Sequence, residues 1–141
     1  MSTLERAISI AAEAHAGQTD KSGAPYILHP LRVMMRVEGD DARIAAVLHD
    51  LVEDTHWTFD DLRTEGFDEA VVAALDALTR REGELYMDFC RRAATNELAR
   101  QVKLADIDDN LDPARVAALP EQNRSLPDRY RKARAILRRE E

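Results

Sequence analysis

Residues 45–55 read Ala-Ala-Val-Leu-His-Asp-Leu-Val-Glu-Asp-Thr. His49-Asp50 is followed, after two apolar residues, by Glu53-Asp54. At about 100° per residue, Ile44, Val47, Leu48, Leu51 and Val52 fall on one stripe, which predicts a helix from Asp41 to about Asp54. The opposite side gathers Ala42, Ala46, His49, Asp50 and Glu53. A solvated face would more often carry Lys, Glu and Gln, whereas this one mixes small residues with metal-ligand types. Asp50 lies three residues before Glu53 and four before Asp54. Like charges at those spacings cost a helix about 0.2–0.5 kcal/mol per pair. A bound divalent cation reverses the sign, because nearby positive charge favours ionised carboxylates.

Helical patterns continue on both sides. Ser2-x-x-Glu5 is a candidate capping box for a first helix carrying Leu4, Ile8, Ala11 and His15 on one face and ending at Gly17. The turn-rich GQTDKSGAPY that follows reads as a loop with a job beyond connection. A short helix is expected from Pro30. Thr58-x-x-Asp61 caps another before Gly66. Further helices are expected at about 68–80, 82–94 and 97–109, and a last one from Ser125-x-x-Asp128, with Pro127 in its first turn and Arg138 and Arg139 at its end. No alternating strand pattern or repeat occurs. The expected fold is all-α, a single-domain helical bundle over residues 1–141.

Bulk properties exclude several classes. A chain of 141 residues with 45% hydrophobic and 33% charged residues is long and apolar enough for one soluble globular core. A net charge of −7 argues against binding nucleic-acid backbone. The single cysteine, Cys90, rules out a disulfide framework and reads as a buried, inert thiol. The absence of a basic-then-apolar leader or an apolar run of membrane-spanning length makes the cytoplasm the expected location. Oligomeric state stays open, a homo-oligomer included.

His29 in YILHP and Asp106 in KLADIDDN join His49 and Asp50 in a His, His, Asp, Asp set. Imidazole and carboxylate ligands suit Mn, Fe, Co or Zn in a hydrolytic centre with open positions, and the lack of thiolates argues against a structural zinc knot. Each residue alone has a plainer reading: His29 as a loop histidine bonded to backbone, Asp50 and Glu53 as a solvated acidic face. Asp106 has rivals in Asp108, Asp109 and Asp112, but sits one turn after Val102 and so faces inward. His15, on an apolar face, reads as an interior histidine rather than a ligand. His56 and Trp57 read as packing residues, with Trp57 also a candidate wall for a base. Tyr86, Met87 and Phe89 read as core, and Tyr130 is left unassigned.

Four segments carry a family resemblance: AHAGQTDKSGAPYILHPLRV ending at Val33, AAVLHDLVEDT, VVAALDALTRREGE (71–84) and VKLADIDDNL (102–111). The chain resembles the HD-domain phosphohydrolases, specifically the hydrolase domain of the RelA/SpoT stringent-response enzymes and their small stand-alone relatives. That resemblance implies a helical HD-type bundle in which His29, His49, Asp50 and Asp106 hold one divalent metal, usually Mn²⁺. It implies a catalytic acidic pair in Glu53 and Asp54, with Lys21, Ser22, Lys103 and Asn110 toward the substrate. The implied reaction removes the 3′-pyrophosphate of guanosine tetra- or pentaphosphate (ppGpp). A sister hydrolase acting on another nucleotide or phosphoester, and a non-catalytic metal-containing nucleotide sensor, are the alternatives; a plain helical scaffold is the third. At this length no synthetase domain is expected beside the hydrolase.

The chain also departs from the family pattern. Asp20 stands where the family loop has arginine, Ile107 replaces another arginine, and Asp109 replaces a histidine. Those changes are expected to make a highly anionic substrate harder to hold. Arg32, Arg43, Arg80, Arg81 and Arg124 are the cations available to compensate.

Overall fold

The computed structural model describes residues 2–139. Among them the chain forms ten α-helices: α1 (Leu4–Ala14), α2 (Leu28–Met35), α3 (Asp40–Val47), α4 (Leu51–Asp54), α5 (Phe59–Thr64), α6 (Glu69–Ala77), α7 (Tyr86–Ala94), α8 (Glu97–Asn110), α9 (Pro113–Ala117) and α10 (Leu126–Leu137). A 3₁₀ turn at Glu121–Asn123 precedes α10. The one extended feature among these residues is an isolated bridge between Thr19 and Pro25 that pinches the long loop. The all-α expectation holds.

Helix α8 is the hub, packing against α2, α3, α6, α7 and α10. Its Ala99, Val102 and Ile107 are fully enclosed, together with Ile10, Val47, Leu51, Leu62, Leu75 and Leu137 from surrounding helices. Burying a Val, Leu or Ile side chain contributes about 1.5–3 kcal/mol.

Several local expectations change. The cap of α1 is Thr3, whose hydroxyl accepts from the Arg6 N–H at 3.1 Å, in place of Ser2. Helix α2 begins at Leu28, so His29 lies in its first turn. Pro30 is tolerated there because a first-turn N–H has no helical partner to lose. Helix α7 starts at Tyr86 rather than near Glu82, since Gly83 at φ +76 turns the chain. Thr58 and Asp61 do form the reciprocal capping box of α5.

The largest change falls in the opening motif. The single helix expected to Asp54 breaks at Leu48-His49-Asp50 into α3 and α4. A continuing helix would offer the Ala46 carbonyl to the Asp50 N–H. That carbonyl instead accepts the backbone N–H of His49 at 3.3 Å and the His49 ring Nδ1–H at 2.7 Å. Leu51 N–H then bonds back to Leu48 at 3.0 Å, another tight three-residue step. Leu48 (φ −102, ψ 3) and Asp50 (φ −116, ψ 9) leave the α region to make the turn.

Candidate metal centre

Helix α2, the α3–α4 break and helix α8 converge on one buried point. One ligand atom from each of His29, His49 and Asp106 lies within 4.8 Å of the others. His29 Nε2 is 2.8 Å from Asp106 Oδ1, and His49 Nε2 is 3.6 Å from the same oxygen. Asp50 flanks this trio from the turn, its Oδ2 3.9 Å from His49 Nε2, but it is not among the ligand atoms that lie within 4.8 Å of one another. All four side chains are buried.

Each imidazole is held from behind. The Ala46 carbonyl can only accept, so His49 donates from Nδ1 and turns Nε2 inward. His29 Nδ1 lies 2.6 Å from Asp109 Oδ2. The Asp109 carboxyl is lowered to about 2: burial works against ionisation, and the bonds from His29 and Arg32 outweigh it. As an ionised acceptor it fixes the Nδ1–H tautomer of His29 and turns Nε2 toward Asp106. Histidine ligands backed by a carboxylate or a carbonyl are the usual support of a metal site, setting ring orientation and basicity.

The carboxylates are also partnered. Asp106 Oδ2 accepts from Lys103 Nζ at 2.8 Å, and Oδ1 faces Asn110 Nδ2 at 3.3 Å. The buried Asp106 is held far below the carboxylate range; desolvation opposes this, and the Lys103 charge and both histidines prevail. The Tyr26 hydroxyl donates to Asp50 Oδ2. Asp50 Oδ1 is enclosed without a hydrogen bond, 3.3 Å from His15 Nε2, which also lacks one. Burial opposes ionisation of Asp50, but the His49 charge and the His15 and Tyr26 contacts depress its pKa strongly. His49 in turn is pushed up to about 9; burial acts downward, and Asp50 and Asp106 override it. Two imidazole nitrogens and the Asp106 carboxylate, with the Asp50 carboxylate beside them, fit a divalent Mn, Fe, Co or Zn ion by donor chemistry.

The chain belongs to the HD-domain family. The HD-domain family profile matches residues 7–110, most of the chain. The guanosine-3′,5′-bis(diphosphate) 3′-pyrophosphohydrolase of Aquifex aeolicus is 32% identical over 120 residues, covering 77% of this chain and 17% of that protein. The bifunctional (p)ppGpp synthase/hydrolase SpoT of Escherichia coli is 32% identical over 110 residues, covering 75% of this chain and 15% of its own length. The chain thus spans about a sixth of the curated relatives it matches. A solved structure described as a metazoan ortholog of SpoT that hydrolyses ppGpp superposes with a TM-score of 0.78 at 24% identity, covering 98% of this chain and 86% of that one. At that identity the likeness is one of fold.

The remaining expected HD-site residues divide into three groups. Glu53 and Asp54 are exposed on α4 beside the cluster. Glu53 Oε1 accepts the Arg80 backbone N–H at 3.0 Å, which ties it to the α6–α7 loop. The Asp54 carboxyl is raised to about 6 by desolvation and by the charges of Asp50 and Glu53. Lys21, Ser22 and Asn110 line a partly open cavity of about 160 Å³, together with Tyr26 and Arg115. Lys103 is only 8% exposed. Its ammonium rests 4.9 Å from the Phe89 ring and 5.5 Å from the Tyr86 ring, aimed at Asp106 rather than at the cavity.

Other candidates settle differently. Tyr86 makes edge contacts with Phe89 and Tyr130, and the Tyr86 and Phe89 rings flank Lys103. Cys90 is buried beside them and its thiol is raised by desolvation. Trp57 lines a separate hollow with His56, Asp61, Thr64 and Glu65. His15 is interior, as expected, but backs Asp50 rather than filling space, and its Nδ1 meets Gln18 Oε1 at 2.8 Å.

The three departures from the family pattern fall in different settings. Ile107 is fully buried in the core. The Asp109 charge is shared among His29, Arg32 and Arg115. Asp20 alone faces the cavity. Its Oδ1 organises the loop by accepting from Ser22 N, Ser22 Oγ and Ala24 N at 2.8–3.0 Å. Sequence reasoning names Asp109 only as a rival to Asp106 and as a departure from the family pattern, and does not reach Arg115. For Asp109 a signal existed: it lies three residues after Asp106, on the same face of α8.

Proposed function

We propose that this HD domain hydrolyses a guanosine 3′-pyrophosphate, releasing pyrophosphate and leaving the 5′-phosphorylated nucleoside. The observation that carries the reading is the meeting of His29, His49 and Asp106 from three separate stretches, with an exposed acidic pair alongside. Similarity to 3′-pyrophosphohydrolases over most of this chain supports the substrate.

In this reading His29, His49, Asp50 and Asp106 hold Mn²⁺. The ion, when bound, acidifies a water and polarises a phosphoryl oxygen. Asp54 accepts the proton of the attacking water, a task suited to a carboxyl raised to about 6. Glu53, fixed by the Arg80 N–H, orients that water. Lys103 holds Asp106 in place instead of touching phosphate directly. Lys21, Ser22 and Asn110 contact the substrate from the adjoining cavity.

The experiment is incubation of purified protein with Mn²⁺ and ppGpp, with product analysis for GDP and pyrophosphate. Glu53→Gln is expected to abolish turnover while metal content stays at the wild-type level. Asp20 in the cavity favours one second reading, a sister hydrolase of a less anionic nucleotide or phosphoester. Turnover of such a substrate in a panel, with ppGpp untouched, would establish it. Tight nucleotide binding with no product from any substrate would make the domain a sensor.

A further inference from the structure

We propose that Arg115 is a phosphate anchor of the cavity beside the metal centre, opposed by Asp20. The inference deepens the hydrolase reading and rests on its phosphorylated substrate.

Arg115 comes from the short helix α9, outside the HD-domain match. One edge of its guanidinium is already fixed. Nη1 donates to Asp109 Oδ2 at 2.8 Å and to Asn110 Oδ1 at 2.9 Å. Asp109 is itself 1% exposed and gripped by His29 and Arg32, so it makes a rigid post. The opposite edge, Nε and Nη2, has no hydrogen bond among the described residues. Asp20 Oδ2 stands 3.8 Å from Nη2, beyond hydrogen-bond reach. Arg115 borders the cavity that Lys21, Ser22, Tyr26 and Asn110 also line, and its Nη2 lies on the side of Asp20, another wall residue.

Position makes the cavity relevant to the centre. Tyr26 bonds Asp50, and Asn110 faces Asp106, so the same walls serve both. A guanidinium with one edge locked and the other open offers a planar fork to two phosphate oxygens at little further entropic cost. Lys21 adds a point charge to the cavity wall. Asp20 works against both, lowering the affinity that Arg115 and Lys21 provide.

The test titrates inorganic phosphate into the metal-loaded full chain by calorimetry, comparing wild type with Arg115→Gln, Arg115→Lys and Asp20→Asn. Asp20→Asn keeps the Oδ1 acceptor for the loop and removes only the charge. Arg115→Gln is expected to weaken phosphate at least tenfold, Arg115→Lys by less, and Asp20→Asn to tighten it severalfold. With ppGpp, Arg115→Gln should raise KM far more than it lowers kcat. Wild-type affinity in both Arg115→Gln and Asp20→Asn would overturn the proposal, as would no phosphate binding by wild type. Should Arg115→Gln misfold, Asp20→Asn and Arg115→Lys still decide. Phosphate binding that responds to these variants, in a protein that leaves ppGpp intact, would sink the substrate reading and keep the anchor.

Discussion

Two stretches supply most of the candidate metal centre, and they do so by opposite means. Helix α8 runs unbroken and places Lys103, Asp106, Asp109 and Asn110 along one side by spacing alone. The segment between α3 and α4 presents His49 and Asp50 by interrupting a helix. In α8 Lys103, Asp106 and Asp109 are part of the core, buried and cross-paired. At the break they occupy a turn whose own hydrogen bonds are spent on aiming one imidazole. Damage to α8 should therefore be felt as lost stability as well as lost metal. Damage at the break should be felt mainly as lost metal.

Asp106→Ala is the strongest challenge to that contrast. It strands the buried Lys103 ammonium, and breaking a buried pair this way costs about 3–5 kcal/mol. Urea unfolding of metal-free protein should show the full loss; a melt equal to wild type would erase the distinction. His49→Ala should abolish tight metal binding at a much smaller stability cost, read from the same melts and from bound-metal analysis. Asp109→Ala comes next, with an expected drop of about 10–100-fold in metal affinity from the unsupported His29. Asp109→Asn, which keeps an acceptor for Nδ1–H, should fall between it and wild type in a metal-competition titration.

Asp54 gives a smaller, pH-dependent effect. Its folded carboxyl stands at about 6, above the ordinary 3.8. The folded state therefore holds more protons than the unfolded one across that window, and stability falls as pH rises through it. Asp54→Asn should remove this slope in metal-free melts and stabilise the protein at neutral pH by under about 1 kcal/mol, because the group is exposed. The same variant should lose the rise of hydrolysis with pH near 6, together with most of the rate. Thr58→Ala is the control remote from both stretches: about 1 kcal/mol lost with the α5 capping box, and metal affinity untouched.

The contrast also explains what could be read before any coordinates. Regular periodicity announced α8 and turned Asp106 inward past Asp108 and Asp112. The α5 cap was legible because Thr58 and Asp61 satisfy each other within four residues. The break was not legible, since Ile44, Val47, Leu48, Leu51 and Val52 keep a helical stripe straight through it. What stops the helix is a histidine ring competing for a carbonyl, which apolar spacing does not encode. The setting of Lys103 is hidden for a related reason. A lysine near a phosphate site suggests an open charge, and only packing against Phe89 and Tyr86 commits it to Asp106. Arg115 lay beyond the matched region, and its arrival depends on how α9 folds back.

The tether between Glu53 and residue 80 has an evolutionary corollary. Its donor is main-chain, so position 80 can drift through any side chain that keeps an N–H without releasing the carboxylate. Proline alone, having no amide hydrogen, would cut it. Relatives should then vary freely at this site while shunning one residue, a constraint invisible to any search for a shared side chain.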